Sequence, residues 1–184
     1  MKHISLVRPV AAMLLTAVVM WCMALKAQQA NGATAKERMK NFDYLVGTWS
    51  CAHQVGDFSG KYTTTYEKVL GDLWLKETYD FPPKQFGDNP GAVRAEALIG
   101  YDERRDQFVR FFADSVGDYF PIRMKGTGNG WTYQYVSFFS AKPLDKTDAD
   151  ATFTKKSDTE YLIEGPTYAE KGKQVTEHHQ CHKL

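Results

Sequence analysis

KYTTTYEKVLGDLWLKETYDF, residues 61–81, has the pattern of a β-hairpin. Two runs rich in Thr, Tyr and aliphatic side chains, Lys61–Val69 and Leu73–Phe81, flank the dipeptide Gly71-Asp72. Aromatic and β-branched residues favour strands, and a tight hairpin turn needs residues that tolerate positive φ. The segment therefore predicts two antiparallel strands joined by a short turn.

Similar short runs, separated by Gly, Asp, Asn and Pro, continue on both sides of this hairpin, and no long segment has the period of a helix. A short helical turn is predicted over Ala35–Leu45, and Gly128-Asn129-Gly130 marks a second tight turn. The further predicted strands are Thr48–Val55, Ala92–Tyr101, Gln107–Asp114, Tyr119–Lys125, Trp131–Phe139, Ala151–Lys155, Glu160–Ile163 and Lys173–His182. Such a meander exposes two edge strands unless it closes into a barrel or splits into a sandwich.

The N-terminus has the pattern of a secretory signal. Lys2 and Arg8 precede the uncharged apolar run Val10–Leu25, whose 16 residues are fewer than the roughly 20 that a membrane-spanning helix needs. We expect cleavage, no stable membrane insertion afterwards, and a periplasmic or extracellular mature protein; an uncleaved anchor is the alternative. The predicted organisation is a signal peptide at 1–27, a leader and short helical turn at 28–41, and a barrel domain at 42–184.

Charge and composition exclude several classes of protein. A chain that is 43% hydrophobic and 14% aromatic is not a disordered one. Loss of Lys2, Arg8 and Lys26 with the signal lowers the 23 basic residues by three, against 22 acidic residues, so the mature chain is nearly neutral. Without a basic stripe we expect no nucleic-acid partner.

The cysteines favour closure of the meander. Cleavage of the signal removes Cys22 and leaves Cys51 near the start and Cys181 near the end. An even pair in an exported chain favours a disulfide, with two unrelated buried thiols as the alternative. A bridge would hold the first and last strands together, which favours an all-β, antiparallel up-and-down barrel of roughly eight to ten strands.

The same pair predicts a register. Opposed residues of two antiparallel strands have numbers with a constant sum, so the cysteine pair places Trp49 opposite Lys183 and His53 opposite His179. Because strand side chains alternate, all of these residues share one face. A cation over an indole ring is favourable, so Trp49 and Lys183 are predicted to close one end of the barrel.

The segment Leu45-Val46-Gly47-Thr48-Trp49 resembles the Gly-x-Trp start of the lipocalin and calycin barrels. In those families a helical turn leads into the first strand, whose Trp packs against a basic residue of the last strand, the position that Lys183 occupies here. Over most of Phe42–Lys183 the chain is similar to a family of small uncharacterised exported bacterial domains with lipocalin-like barrels. The further segments that carry this resemblance are Leu70–Trp74, Ile99–Asp102 and Ala113–Ser115. The resemblance implies a fold and no activity.

A more distant resemblance is to the haem-binding calycin proteins of the nitrobindin type, which ligate haem iron through a late histidine. His178, His179 and His182 are late in this chain, but Ser50–His53 replaces the Gly-rich stretch that follows the Trp in nitrobindins. From the register, His53 with His179 is the better metal-ligand pair, since neutral imidazole suits zinc, copper or haem iron. Glu177 and Glu160 are the candidate third donors. The alternative is that these histidines pack in the barrel wall or titrate at its surface.

Charged residues within predicted strands are the other candidate site. Glu77, Arg94, Glu96 and Arg110 interrupt runs suited to a half-buried sheet, and an inward charge needs a partner or a polar ligand. The alternative is that these charged side chains face the solvent or form an internal salt bridge. The predicted ligand-binding residues are Glu77, Tyr79, Arg94, Arg110, Phe112 and Tyr133.

Enzymatic motifs are largely absent from the sequence, which contains no Gly-x-Ser-x-Gly elbow, phosphate loop or His-Glu-x-x-His helix. The sequence therefore favours an exported, non-enzymatic barrel that binds a small hydrophobic or amphipathic ligand. A structural or interaction module with a filled barrel is one alternative, and a haem- or metal-binding calycin protein is another. No cofactor is expected under the first two hypotheses.

Overall fold

The computed structural model describes residues 33–86, 89–127, 130–135, 150–168 and 174–184. The chain divides into two units, Met1–Thr34 and Ala35–Leu184, and the fold described below is that of the second. The predicted signal peptide lies outside the described residues. Within them, no helix is both long and apolar enough to cross a membrane.

The second unit is a closed antiparallel barrel preceded by a short helical segment. Helix α1, Ala35–Met39, continues as a 3-10 helix over Lys40–Leu45. The strands are β1 (Gly47–Val55), β2 (Phe58–Val69), β3 (Trp74–Phe81), β4 (Val93–Asp102), β5 (Gln107–Asp114), β6 (Tyr119–Thr127), β7 (Gly130–Tyr135), β8 (Asp150–Lys155), β9 (Glu160–Tyr168) and β10 (Gln174–Lys183). Each strand pairs with its sequence neighbours, and β1 pairs with β10. The predicted all-β antiparallel barrel with a short helical turn before it is confirmed.

Some strand limits differ from the prediction for identifiable reasons. β2 begins at Phe58 because the turn lies at Gly56, which has a φ of 58°. Gly60 lies within β2 beside His53, and the position needs glycine because a Cβ atom there would be 2.4 Å from the imidazole Nε2. β9 is longer than predicted, and the end of the predicted strand Trp131–Phe139 lies outside the described residues.

Closure follows the predicted register. Trp49 pairs with Lys183, and His53 pairs with His179. Between them the Cys51–Cys181 disulfide links β1 to β10 across a sequence separation of 130. Because the ring of described strands closes completely, none of them is left at an open edge, and the alternating side chains divide into an inner and an outer set.

The barrel end next to α1 is filled by aromatic side chains. Phe42 stacks on Trp131 with ring centroids 4.8 Å apart and meets Phe108 edge-on at 5.0 Å. The Trp49 indole donates a hydrogen bond of 2.7 Å to the Leu45 carbonyl. The Lys183 ammonium lies 5.5 Å from the Trp49 ring, which fits the expected cation–π contact. We call this the near end, and the end where β1 and β3 finish the far end.

The disulfide predicts a large loss of stability on removal. Replacing both cysteines, Cys51→Ala with Cys181→Ala, releases a loop defined by a sequence separation of 130 and should lower the free energy of unfolding by about 4–5 kcal/mol in the chain-entropy model. Urea unfolding of the variant and the oxidised parent measures the difference. Reductant should destabilise the parent and leave the variant unchanged. A loss below about 1 kcal/mol would show that the bridge does not stabilise closure.

Candidate ligand-binding site

Strand alternation separates the four candidate charges into two pairs. Glu77 on β3 and Arg110 on β5 face the interior and are only 1% and 6% exposed. Arg94 and Glu96 on β4 face outward and form an exposed ion pair. The prediction of Arg94 as a residue of an interior site is therefore corrected. Its parity on β4 matches the outward residues, because the inward positions there are taken by Val93, Ala95, Ala97 and Ile99.

Glu77 and Arg110 form a bidentate-like ion pair inside the barrel. Arg110 donates from Nε and Nη2 to the same Glu77 oxygen, Oε2, at 2.9 and 2.7 Å. The Tyr79 hydroxyl donates to that oxygen at 2.6 Å and accepts from Arg110 Nη2 at 2.8 Å. The pair spans β4, where Ala97 lies opposite Glu77 and its small side chain leaves room for the contact.

Aromatic rings surround the guanidinium of this pair. The Arg110 Cζ atom lies 5.3 Å from the centre of the Phe112 ring and 5.8 Å from those of Tyr79 and Tyr133. Burial disfavours the Arg110 charge, but Glu77 and the two tyrosines outweigh it and raise the pKa of Arg110 well above its ordinary value. Burial also raises the pKa of the Tyr79 phenol, so this hydroxyl stays protonated. The predicted residues Glu77, Tyr79, Arg110, Phe112 and Tyr133 therefore come together.

A second polar group lies toward the far end. The His53 and His179 rings are 5.4 Å apart, with the Tyr62 hydroxyl 2.9 Å from Nδ1 of His179. His53 donates from Nε2 to the Gln85 carbonyl at 3.0 Å, and Nε2 of His179 lies 3.3 Å from the Glu177 carboxylate. The histidines are thus neighbours, as the register predicted, and each has a partner from another residue.

The predicted metal ligands do not form a complete set within the described residues. No group of three or more His, Cys, Asp or Glu side chains that could hold a metal ion occurs in the described part of the chain. Of the two candidate third donors, Glu177 contacts His179, whereas Glu160 lies at the near end and accepts a hydrogen bond from Gln180. His53 and His179 as metal ligands stay a prediction.

Exposure of the inward side chains differs between the two ends. At the near end Trp49, Tyr161 and Phe153 are fully buried. Toward the far end the inward residues Phe112, Phe120 and Ile163 are only partly buried, whereas Phe81 and Val93 are buried. Of the partly buried side chains, Phe112 lies next to the guanidinium of Arg110.

Open grooves also occur on the described part of the outer wall. One, of about 470 Å³, has Lys61, Asp80 and Arg94 among its lining residues. Another, of about 430 Å³, is lined in part by Trp74 and Phe111, which lie on the outside of β3 and β5. Both grooves are alternative binding sites to the barrel interior.

Two interior features were missed by the sequence reasoning. The Thr64 hydroxyl is 0% exposed and has no hydrogen-bond partner. Its inward position could have been found, because Tyr62, Thr64 and Tyr66 alternate within the first hairpin. Gln85 had no such signal, since it lies in the β3–β4 connection, where its side chain accepts a hydrogen bond of 2.7 Å from the Lys61 amide.

Comparison with protein families matches residues 34–129 to the family described as "Protein of unknown function (DUF1579)". The chain belongs to this family. No significant match is found among the curated proteins. A solved structure described as a "De novo design of a fluorescence-activating beta barrel" has a TM-score of 0.42 and 8% identity, over 77% of this chain and 95% of that one. The barrel assignment rests on the strand pairing of this family member itself.

Breaking the Glu77–Arg110 pair should destabilise the fold strongly. Arg110→Met leaves a buried carboxylate without its cation and should cost about 3–5 kcal/mol. The double variant Glu77→Met with Arg110→Met removes both charges and should be clearly more stable than Arg110→Met alone. Urea unfolding of the parent, both single variants and the double variant gives the coupling free energy. If the losses of unfolding free energy in the two single variants add up to the loss in the double variant, the two charges do not interact.

Buried His53 predicts acid-sensitive stability. Burial, followed by the nearby His179, outweighs the hydrogen bond to Gln85 and lowers the pKa of His53 from 6.5 to about 4. Between these values the unfolded chain binds a proton that the folded chain does not. The stability from neutral His53 is therefore full above pH 6.5 and falls as the pH falls toward 4.

Urea unfolding at several pH values tests this prediction. His53→Gln should flatten the dependence of the unfolding free energy on pH in that range, whereas His182→Gln, at an exposed position, should keep the parent's slope. Equal slopes for His53→Gln and the parent would contradict the assignment.

Proposed function

We propose that this protein is an exported barrel that binds a small amphipathic molecule in its interior. The ligand enters at the far end, places its apolar part against Phe112 and Tyr133, and directs a polar group toward the cluster of Glu77, Tyr79 and Arg110. The observation that carries the proposal is this hydrogen-bonded polar cluster inside an aromatic barrel.

Filling a barrel does not require such a cluster. Burying two charges carries a large desolvation cost, and well-packed apolar residues in place of a buried ion pair are often neutral or stabilising. Binding pockets, in contrast, combine a mostly apolar lining with a few placed polar groups that orient the ligand. The interior around Arg110 has that composition, and the partly buried Phe112 lies next to it on β5.

Export is supported by the disulfide and by the signal-like N-terminal sequence. Disulfides persist in oxidising compartments and are rare in the cytosol, and Cys51–Cys181 joins the first and last strands of the barrel. The apolar run after Lys2 and Arg8 is the matching sequence feature.

Neighbouring phenylalanines provide a test of where the ligand binds. Phe112 faces the interior and Phe111 faces the outer groove. With the fluorescent probe phenylnaphthylamine, Phe112→Ser should weaken binding by about tenfold or more, because an apolar contact is replaced by a hydroxyl. Phe111→Ser should leave the dissociation constant within about twofold of the parent.

Fluorescence titration of the three proteins measures these constants, with circular dichroism as the check that each variant is folded. The reverse result, loss of binding on Phe111→Ser alone, would move the site to the outer groove. Absence of binding to the parent would favour the filled, structural barrel.

A further inference from the structure

We propose that the interior of this barrel selects an uncharged ligand with a hydrogen-bonding group and excludes anions such as carboxylates and sulfonates. The inference rests on the proposed function and names the ligand class of that same site. It follows from the charges of the interior, where the buried cation of the described residues, Arg110, is already paired with a carboxylate.

The interior charges balance one another. Within the described residues, the buried side chains with a formal charge at neutral pH are Glu77 and Arg110. Arg110 uses its Nε and Nη2 donors on Glu77 and Tyr79, and the closest approach of the pair is 2.7 Å. The guanidinium is therefore already neutralised by the chain's own carboxylate.

An anion would recover little of the cost of entering the barrel interior. Leaving water has a large free-energy cost for an ion, and a protein compensates for that cost with an opposite charge or dedicated donors. Here the anion would have to compete with Glu77 for Arg110. At the far end it would also pass Glu177, a second carboxylate on the inward face of β10.

A neutral polar group of a ligand has a hydrogen-bond partner in Thr64. The Thr64 hydroxyl is fully buried without a hydrogen-bond partner, although buried polar groups are nearly always hydrogen-bonded. Thr64 lies opposite Tyr79 in the β2–β3 register and between Tyr62 and Tyr66 on its own strand. A hydroxyl, amine or carbonyl of a ligand would satisfy it at no charge-burial cost.

Two dyes that differ in one charge test the inference. Phenylnaphthylamine is neutral, and anilinonaphthalene sulfonate has the same ring skeleton with one sulfonate added. Their dissociation constants are measured for the parent, for Glu77→Gln, and for the double variant Glu77→Gln with Arg110→Gln. The exposed Phe111→Ser variant identifies any sulfonate binding at the outer groove.

Glu77→Gln removes the carboxylate and leaves Arg110 unpaired. It should raise the affinity for the sulfonate, relative to the affinity for the neutral dye, by about tenfold or more, which is the size of a charge-assisted hydrogen bond. The double variant should lose that gain and bind the sulfonate as weakly as the parent does. This pattern would support the inference.

Other patterns overturn it. The first is weaker sulfonate binding by the double variant, which carries no charge pair, than by the parent. That result would mean that Arg110 is available to anions in the parent, and the inference would fail. This comparison does not need Glu77→Gln to fold. If Glu77→Gln folds and gains no sulfonate affinity, the inference also fails. In both cases binding of the neutral dye keeps the proposed function, whereas absence of binding by both dyes overturns the two together.

Discussion

Pairing of the first strand with the last is the constraint on which the rest of this structure depends. β1 meets β10 along seven residue pairs, from Trp49 with Lys183 to Val55 with Glu177. Once that pairing is made, every strand has two neighbours, and alternation sends each side chain either into the barrel or out to its wall. The disulfide lies within this pairing, so the covalent link and the hydrogen-bonded seam support the same closure.

Closure gives the polar interior its properties. Glu77 and Arg110 are on strands separated by β4, and they meet only because the sheet curves and Ala97 leaves space between them. Inside the barrel their attraction is stronger than at a surface, but so is the cost of removing either partner. The same enclosure keeps the surrounding tyrosines protonated, since burial raises the pKa of Tyr66, Tyr79 and Tyr161. The two buried charges of the described residues, Glu77 and Arg110, thus balance each other inside a largely aromatic interior.

The sequence was most informative where a covalent or periodic rule applied. Two cysteines fix the β1–β10 register, and alternation then places His53 opposite His179, as the structure shows. Alternation on β4 favours the apolar parity of Val93, Ala95, Ala97 and Ile99 as the inward face. The prediction of Arg94 as an interior residue departed from that pattern, and Arg94 lies outside.

Contacts made by the loops between strands could not be predicted from the sequence. Gln85 reaches both His53 and the Lys61 amide, yet its position depends on how the β3–β4 connection folds against the far end. The space beside Gly60 that accepts the His53 ring is likewise a product of packing between strands. Pattern rules describe neighbours within a strand or hairpin, whereas these contacts join residues that only the finished barrel brings together.

The central claim is that a ligand binds in the barrel interior, beside Arg110. A crystal structure of the protein with phenylnaphthylamine bound tests it most directly. We expect density for the dye within the barrel, in contact with Phe112 and Tyr133 and with its amine toward the cluster of Glu77, Tyr79 and Arg110. Density for the dye only on the outer wall, with the interior packed solid, would contradict the claim.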